Sequence, residues 1–91
     1  MATDTPTTVT AAVQRLQKVV SQKDRATIAA MSEEDLASLH FGLGLFIRNN
    51  FGLNKGNSEL LQATGAWDPD DASGVIIRAF WQSLRNAAAP R

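Results

Sequence analysis

Apolar residues return every three to four positions along most of this chain. Val9, Ala12, Val13, Leu16, Val19 and Val20 set the pattern, with Thr10, Gln14, Arg15, Gln17, Lys18 and Ser21 between them. That is the period of a helix with one buried face, and it predicts a first helix from about Thr8 to Gln22. Asp24 is placed to cap a short second helix reaching Met31, with Ile28 and Met31 as its apolar contacts. Ser32 followed by Asp35 has the spacing of a capping box, and Glu33, Glu34 and Asp35 put negative charge at the positive end of a helix dipole. A third helix therefore starts there. Its inward stripe is Leu36, Leu39, Leu43, Phe46 and Ile47, with a second apolar edge of Ala37, Phe41 and Leu45. So broad a stripe predicts the most buried helix of the fold, a continuous α-rod ending near Asn50. Asn49, Asn50 and Gly52 supply residue types that tolerate left-handed backbone there.

The next stretch, Gly52 to Asn57, is turn chemistry. Asn57 can cap a short helix over Ser58 to Thr64, closed by Gly65. Asp68 then suits an N-cap and Pro69 the first helical position, where no N–H is needed. Asp70 and Asp71 complement the dipole of a long last helix whose face is Ala72, Val75, Ile76, Ala79, Phe80 and Ser83, widened by Ile77, Trp81 and Leu84. No stretch alternates with the period of a strand. The expected fold is all-α, a small orthogonal bundle of about four to five helices, with a central helix near residues 32–50 and a long C-terminal helix near 69–86. Residues 1–7 read as a disordered tail, 8–86 as one helical domain, and 87–91 as a frayed end before and after Pro90.

At 91 residues the chain has room for one core. Nine Lys and Arg balance nine Asp and Glu, so no excess positive potential draws a phosphate backbone, and nucleic acid is not an expected partner. The same balance removes the repulsion that keeps small domains apart, which favours self-association or a protein partner. Cysteine is absent, which excludes disulfides, thiolate metal sites and a cysteine nucleophile together. With His40 as the one histidine, a two-histidine zinc site cannot form within the chain. The longest near-continuous apolar run, Phe41 to Ile47, is far shorter than the ~20 residues that cross a bilayer, and the start lacks the basic and apolar regions of a secretory signal. A cytoplasmic protein with no metal, no cofactor and no membrane association is the expectation.

One polar patch stands out. His40, Gly44 and Arg48 fall at i, i+4 and i+8 of the third helix, along one edge. Gly42 and Gly44 each weaken a helix by roughly 1 kcal/mol relative to Ala, so close approach of something is implied. Two readings stand. In one, Arg48 and His40 hold a small anion or a peptide backbone in the hollow beside Gly44. In the other, a second helix crosses at the glycines and Arg48 pairs with an acidic cap residue of the last helix. Asn49, Asn50, Asn54 and Asn57 could form a recognition rim or simply cap helices and turns. Asp70 and Asp71 diverge by about 100° on a helix, which suits dipole compensation better than paired acid/base work. Trp67 and Trp81 read as core or lid residues, and Arg15, Lys18, Lys23 and Arg25, interrupted by Asp24, as a solvated face.

The run His40-Phe41-Gly42-Leu43-Gly44, then Ile47-Arg48-Asn49-Asn50-Phe51-Gly52-Leu53, then Asn57, Leu60 and Leu61, then Asp70-Asp71 with Ser73, Ile76, Ile77, Trp81 and Leu84, resembles a family of small bacterial domains of unknown function with an H-x-G-L-G-x-x-I-R-N signature. The resemblance covers about residues 32–85 and leads one to expect Trp where this chain has Asn54. It implies that His40, Arg48, Asn49, Asn50, Asn57, Asp70, Asp71 and Ser73 form one polar constellation joining the third helix to the start of the last. With Gly44 these are the candidate ligand or partner-binding residues.

The function expected from the sequence is a non-catalytic module that binds a protein partner or forms a homo-oligomer through the glycine-notched face of the third helix. The alternative is a protein that binds or sequesters a small anionic, nucleotide-like ligand in the His40/Gly44/Arg48 hollow. An enzyme using His40 as general base, oriented by Asp70 or Asp71, is weakest, because no nucleophile, metal set or phosphate loop accompanies it.

Overall fold

A computed structural model describes residues 5–88. Helix α1 (Val9–Val19) begins where Thr8 accepts a hydrogen bond from the Ala11 N–H at 3.0 Å, and it buries Ala12 and Leu16. The backbone becomes extended at Val20, and α2 (Gln22–Ala29) follows at once. Its cap is Ser21 rather than the expected Asp24. The Ser21 Oγ accepts from the Asp24 N–H at 3.1 Å, which leaves Asp24 in the first turn, where its charge still meets the dipole. At the other end of α2 the orphaned carbonyls of Ala29 and Met31 are met from the last helix, by Arg85 at 3.4 Å and by the Trp81 indole N–H at 2.9 Å.

Ser32 caps the next helix as expected, accepting from the Asp35 N–H at 3.3 Å. From there to Asn50 the backbone stays helical and does not break at Gly42, but it is not a uniform α-rod. It winds tightly as a 3-10 helix over Glu33–Leu39, loosens into a π turn over His40–Gly44, and becomes α-helical as α3 (Leu45–Asn50). A π turn takes an extra residue per turn and turns its carbonyls away from the regular ladder. Here the carbonyl of His40 is approached at 3.5 Å by the Arg48 guanidinium. The helix stops at Phe51, and Gly52 takes the left-handed backbone at φ 77°, so glycine rather than Asn49 or Asn50 makes the reversal.

A 3-10 turn (Leu53–Lys55) leads to α4 (Ser58–Thr64), capped by Asn57 and closed by left-handed Gly65. Asn57 has two jobs. Its Oδ1 accepts from the Leu60 N–H at 3.2 Å, while its Nδ2 donates to the carbonyls of Phe51 at 2.8 Å and Pro6 at 2.9 Å. Within the expected tail Pro6 is buried and its carbonyl tied to Asn57, while Thr5 and Thr7 on either side are exposed. Residues 1–4 lie outside the described residues.

Helix α5 (Pro69–Ala88) starts as the sequence predicts, with Asp68 Oδ1 accepting from the Asp71 N–H at 2.9 Å. It touches every other element, because its length of 20 residues carries it past all of them. Ala87 and Ala88, the start of the expected frayed end, are helical, and 89–91 lie outside the described residues. The face α5 turns inward is Ala72, Ser73, Ile76, Ile77, Phe80 and Leu84, with Val75 turned to solvent. These side chains close on Leu16, Ile47, Phe51 and Leu60 to make the core. The architecture is a small all-α bundle, with no strand among the described residues.

Asn57→Ala removes a cap and two donors to carbonyls of distant segments. The expected cost is about 2 kcal/mol, or roughly 10 °C in Tm for a domain of this size. Asn57→Asp, which keeps the capping oxygen only, should fall between the two in thermal denaturation followed by circular dichroism.

Candidate functional site

Arg48 organises the polar patch. Its side chain points back along its helix, over Gly44, and is only 8% exposed. Nη1 donates to Ser73 Oγ at 3.0 Å, and Nε lies 3.4 Å from Asp70 Oδ1. Ser73 in turn donates to the Asp70 carbonyl at 2.8 Å. Gly44 is where the guanidinium fits, since a Cβ there would sit 3.1 Å from Nη1 and 3.6 Å from Ile77 Cδ1. The hollow inferred beside Gly44 is thus filled by Arg48 itself.

Of the sequence-derived candidates, the fold brings together His40, Gly44, Arg48, Asp70 and Ser73. Asp71 stands one position beyond, on the wall of a groove of about 510 Å³ that it shares with His40, Asp70, Glu33, Glu34 and Arg78. Asn49, Asn50 and Asn57 do not join them. Asn49 accepts from Asn54 at 3.2 Å on the surface, Asn50 donates to the Phe46 carbonyl of its own helix, and Asn57 ties the loop to Pro6. The Asn49–Asn54 pair uses the position where the resemblance leads one to expect Trp. Arg78 and Glu33 pair at 3.1 Å across the groove mouth, but both are more than half exposed and the contact adds little. Among the described residues no group of three or more His, Asp or Glu side chains is placed to hold a metal ion, and no helix is long and apolar enough to cross a membrane.

A second surface was not foreseen. Between α1–α2 and the central helix runs an apolar groove of about 510 Å³, lined by Val19, Ile28, Met31, Leu39, Gly42, Leu43 and Phe46 among others. Phe46, expected in the inward stripe, is 36% exposed on this groove and Val19 is 51% exposed on its wall, while Phe41 and Leu45 of the second apolar edge are 82% and 46% exposed outside its lining. The signal in the sequence was the excess of apolar positions around this helix, more than one face can bury. Gly42 differs from its neighbour Gly44, for a Cβ at position 42 would meet nothing within 4 Å. Trp67, expected as core or lid, is 94% exposed at the start of α5, whereas Trp81 is half-buried with the Arg85 guanidinium 5.1 Å from its ring centre.

The model of a family described as Domain of unknown function (DUF6794) matches residues 5–84. The chain belongs to this family. The DUF6794 match takes in α1 and α2 as well as the stretch from residue 32 on, and its limits bracket the packed unit, from just before buried Pro6 to buried Leu84. No curated protein and no solved structure matches the chain.

Arg48→Ala should cost about 2–4 kcal/mol, through the lost packing of a long buried stem and the lost bond to Ser73. Asp70→Asn should cost under about 1 kcal/mol, because Asp70 is 68% exposed and water replaces much of its pairing. Urea denaturation of the two variants tests this order, and a larger loss in Asp70→Asn would show that the ion pair, not the packing, fastens the two helices.

Proposed function

We propose that this protein is a non-catalytic interaction module that binds a protein surface through the Gly42 face of its central helix. The observation that carries this reading is the apolar groove with Phe46 and Val19 partly open on its walls, together with the exposed Phe41 and Leu45 elsewhere on the same helix. A small domain gains by burying such side chains, and contiguous apolar surface of this kind marks a contact surface. Gly42 supports the same reading. It weakens the helix by about 1 kcal/mol relative to Ala without relieving any contact inside the chain, so the room it leaves serves something outside.

The non-catalytic reading is supported by the engagement of the polar cluster with itself. Arg48, Ser73 and Asp70 satisfy one another, and no buried side-chain nitrogen or oxygen among the described residues lacks a partner. The anionic-ligand alternative draws less support. Arg48 fills the space beside Gly44, and the groove next to His40 carries four carboxylates, Glu33, Glu34, Asp70 and Asp71, that would repel a phosphate. A cytoplasmic setting without cofactor belongs to the same proposal and rests on composition.

The double variant Phe41→Ser/Leu45→Ser alters exposed positions and should keep the fold. Light scattering after size exclusion, together with a pull-down, should show association by the native chain and its loss in the variant. A native chain that stays monomeric and captures nothing would remove the reading. Gly42→Ala should raise stability by about 0.5–1 kcal/mol while weakening the association.

A further inference from the structure

We propose that the groove between the 3-10 winding at Glu33–Leu39 and the start of α5 docks a positively charged segment of a partner protein, one that sets a lysine or arginine beside an apolar side chain. This surface is separate from the Gly42 face, and the two grooves share no lining residue. At about 510 Å³ it is within the size range of pockets that take up whole side chains.

Charge names the occupant. The chain is neutral as a whole, yet this groove sets four carboxylates against one guanidinium, with Glu33 and Glu34 on one element, Asp70 and Asp71 on the other, and Arg78 as the cation. The chain itself answers one member of each pair. Arg78 lies 3.1 Å from Glu33, and Arg48 lies 3.4 Å from Asp70. Glu34 and Asp71 are exposed and make no ion pair among the described residues. A helix dipole accounts for carboxylates in one first turn, but not for two such turns opening on one groove. The positive charge they call for belongs on a long side chain, because no three of these groups are placed to hold a metal ion. Arg78 and Arg48 show the kind of group that fits, since each brings a guanidinium to this rim already.

The rest of the lining suits the apolar part of such a segment. Leu36 and Ile77 are buried beneath it, and Ala37 and Val75 are exposed beside them, so the stem of a lysine or arginine can lie on apolar surface while its charged end reaches Glu34 or Asp71. Gly74 also lines the groove. It weakens the interior of α5, and a Cβ there would meet nothing within 4 Å, so no contact within the chain asks for the missing side chain. Its absence lets a partner's backbone come close to α5.

The probe is a synthetic pentapeptide alternating lysine and leucine, with blocked ends, beside its counterpart of glutamate and leucine. Each is titrated to millimolar concentration into the isotope-labelled full chain, and amide shifts are followed by nuclear magnetic resonance. The lysine peptide should move Glu34, Ala37, Asp71 and Gly74 saturably, and the glutamate peptide should not. Glu34→Gln/Asp71→Asn removes two exposed charges and should weaken binding by about fivefold. Gly74→Leu fills open space and should weaken it by about tenfold or more, with circular dichroism verifying that both variants are folded. The absence of saturable shifts would overturn the proposal, as would equal binding of the two peptides or binding that survives both variants. Shifts centred on Val19, Leu43 and Phe46 would overturn it too, by placing the peptide in the other groove.

Discussion

The Arg48 guanidinium leaves water on folding and must recover its hydrogen bonds inside the protein, and it finds them on two elements at once. Ser73 and Asp70 answer from the first turns of α5, and the His40 carbonyl answers from the π turn of its own helix. Much else follows from that requirement. Gly44 has to lack a side chain so that the guanidinium can lie over it. Ser73 is drawn fully inward, and α5 is thereby held in a rotation that buries Ile77 and turns Val75 to solvent. Because the carboxylate partner sits at the rim, the arrangement avoids the desolvation cost of a fully enclosed ion pair while keeping the long apolar stem of the arginine packed.

The same requirement shapes the outer surface. A regular α-helix from Ser32 to Asn50 would hold one angular register throughout, whereas tight winding followed by a loose turn shifts the phase of everything after Leu39. Ile47 and Arg48 come to face α5. Phe41 and Leu45 come to face outward, and Gly42 and Phe46 come to line the apolar groove. The polar cluster inside and the apolar patch outside are two sides of one helix, and the first fixes where the second points.

Local chemistry was legible in the sequence, and tertiary phase was not. Ser32, Asn57 and Asp68 with Pro69 cap the helices that their types and spacing predict, and Gly65 closes the helix it should, because a cap depends on residues within a turn of it. Ser21 displaced Asp24 since either can cap, and the extended backbone at Val20 decides which stands first. The joining of Arg48 to the start of α5 was one of two readings left open by the residues. The 3-10 and π winding could not be read, for periodicity records which positions are apolar and assumes a uniform helix to place them. Nor could the tie from Asn57 to Pro6, 51 residues away, which no local pattern encodes. The exposure of Phe41 and Leu45 was hidden for a related reason. An apolar residue at helical spacing looks the same whether its own chain or another surface covers it.

The two tryptophans, one nearly bare at the entrance to α5 and one wedged beneath Arg85 against the end of α2, give the molecule two separate optical environments. Trp67 already meets water in the folded state, so its emission is a constant background as the protein opens. Trp81 loses its indole bond to Met31 and its cationic neighbour when α5 parts from α2, so any change in intrinsic fluorescence tracks that one seam between the helices.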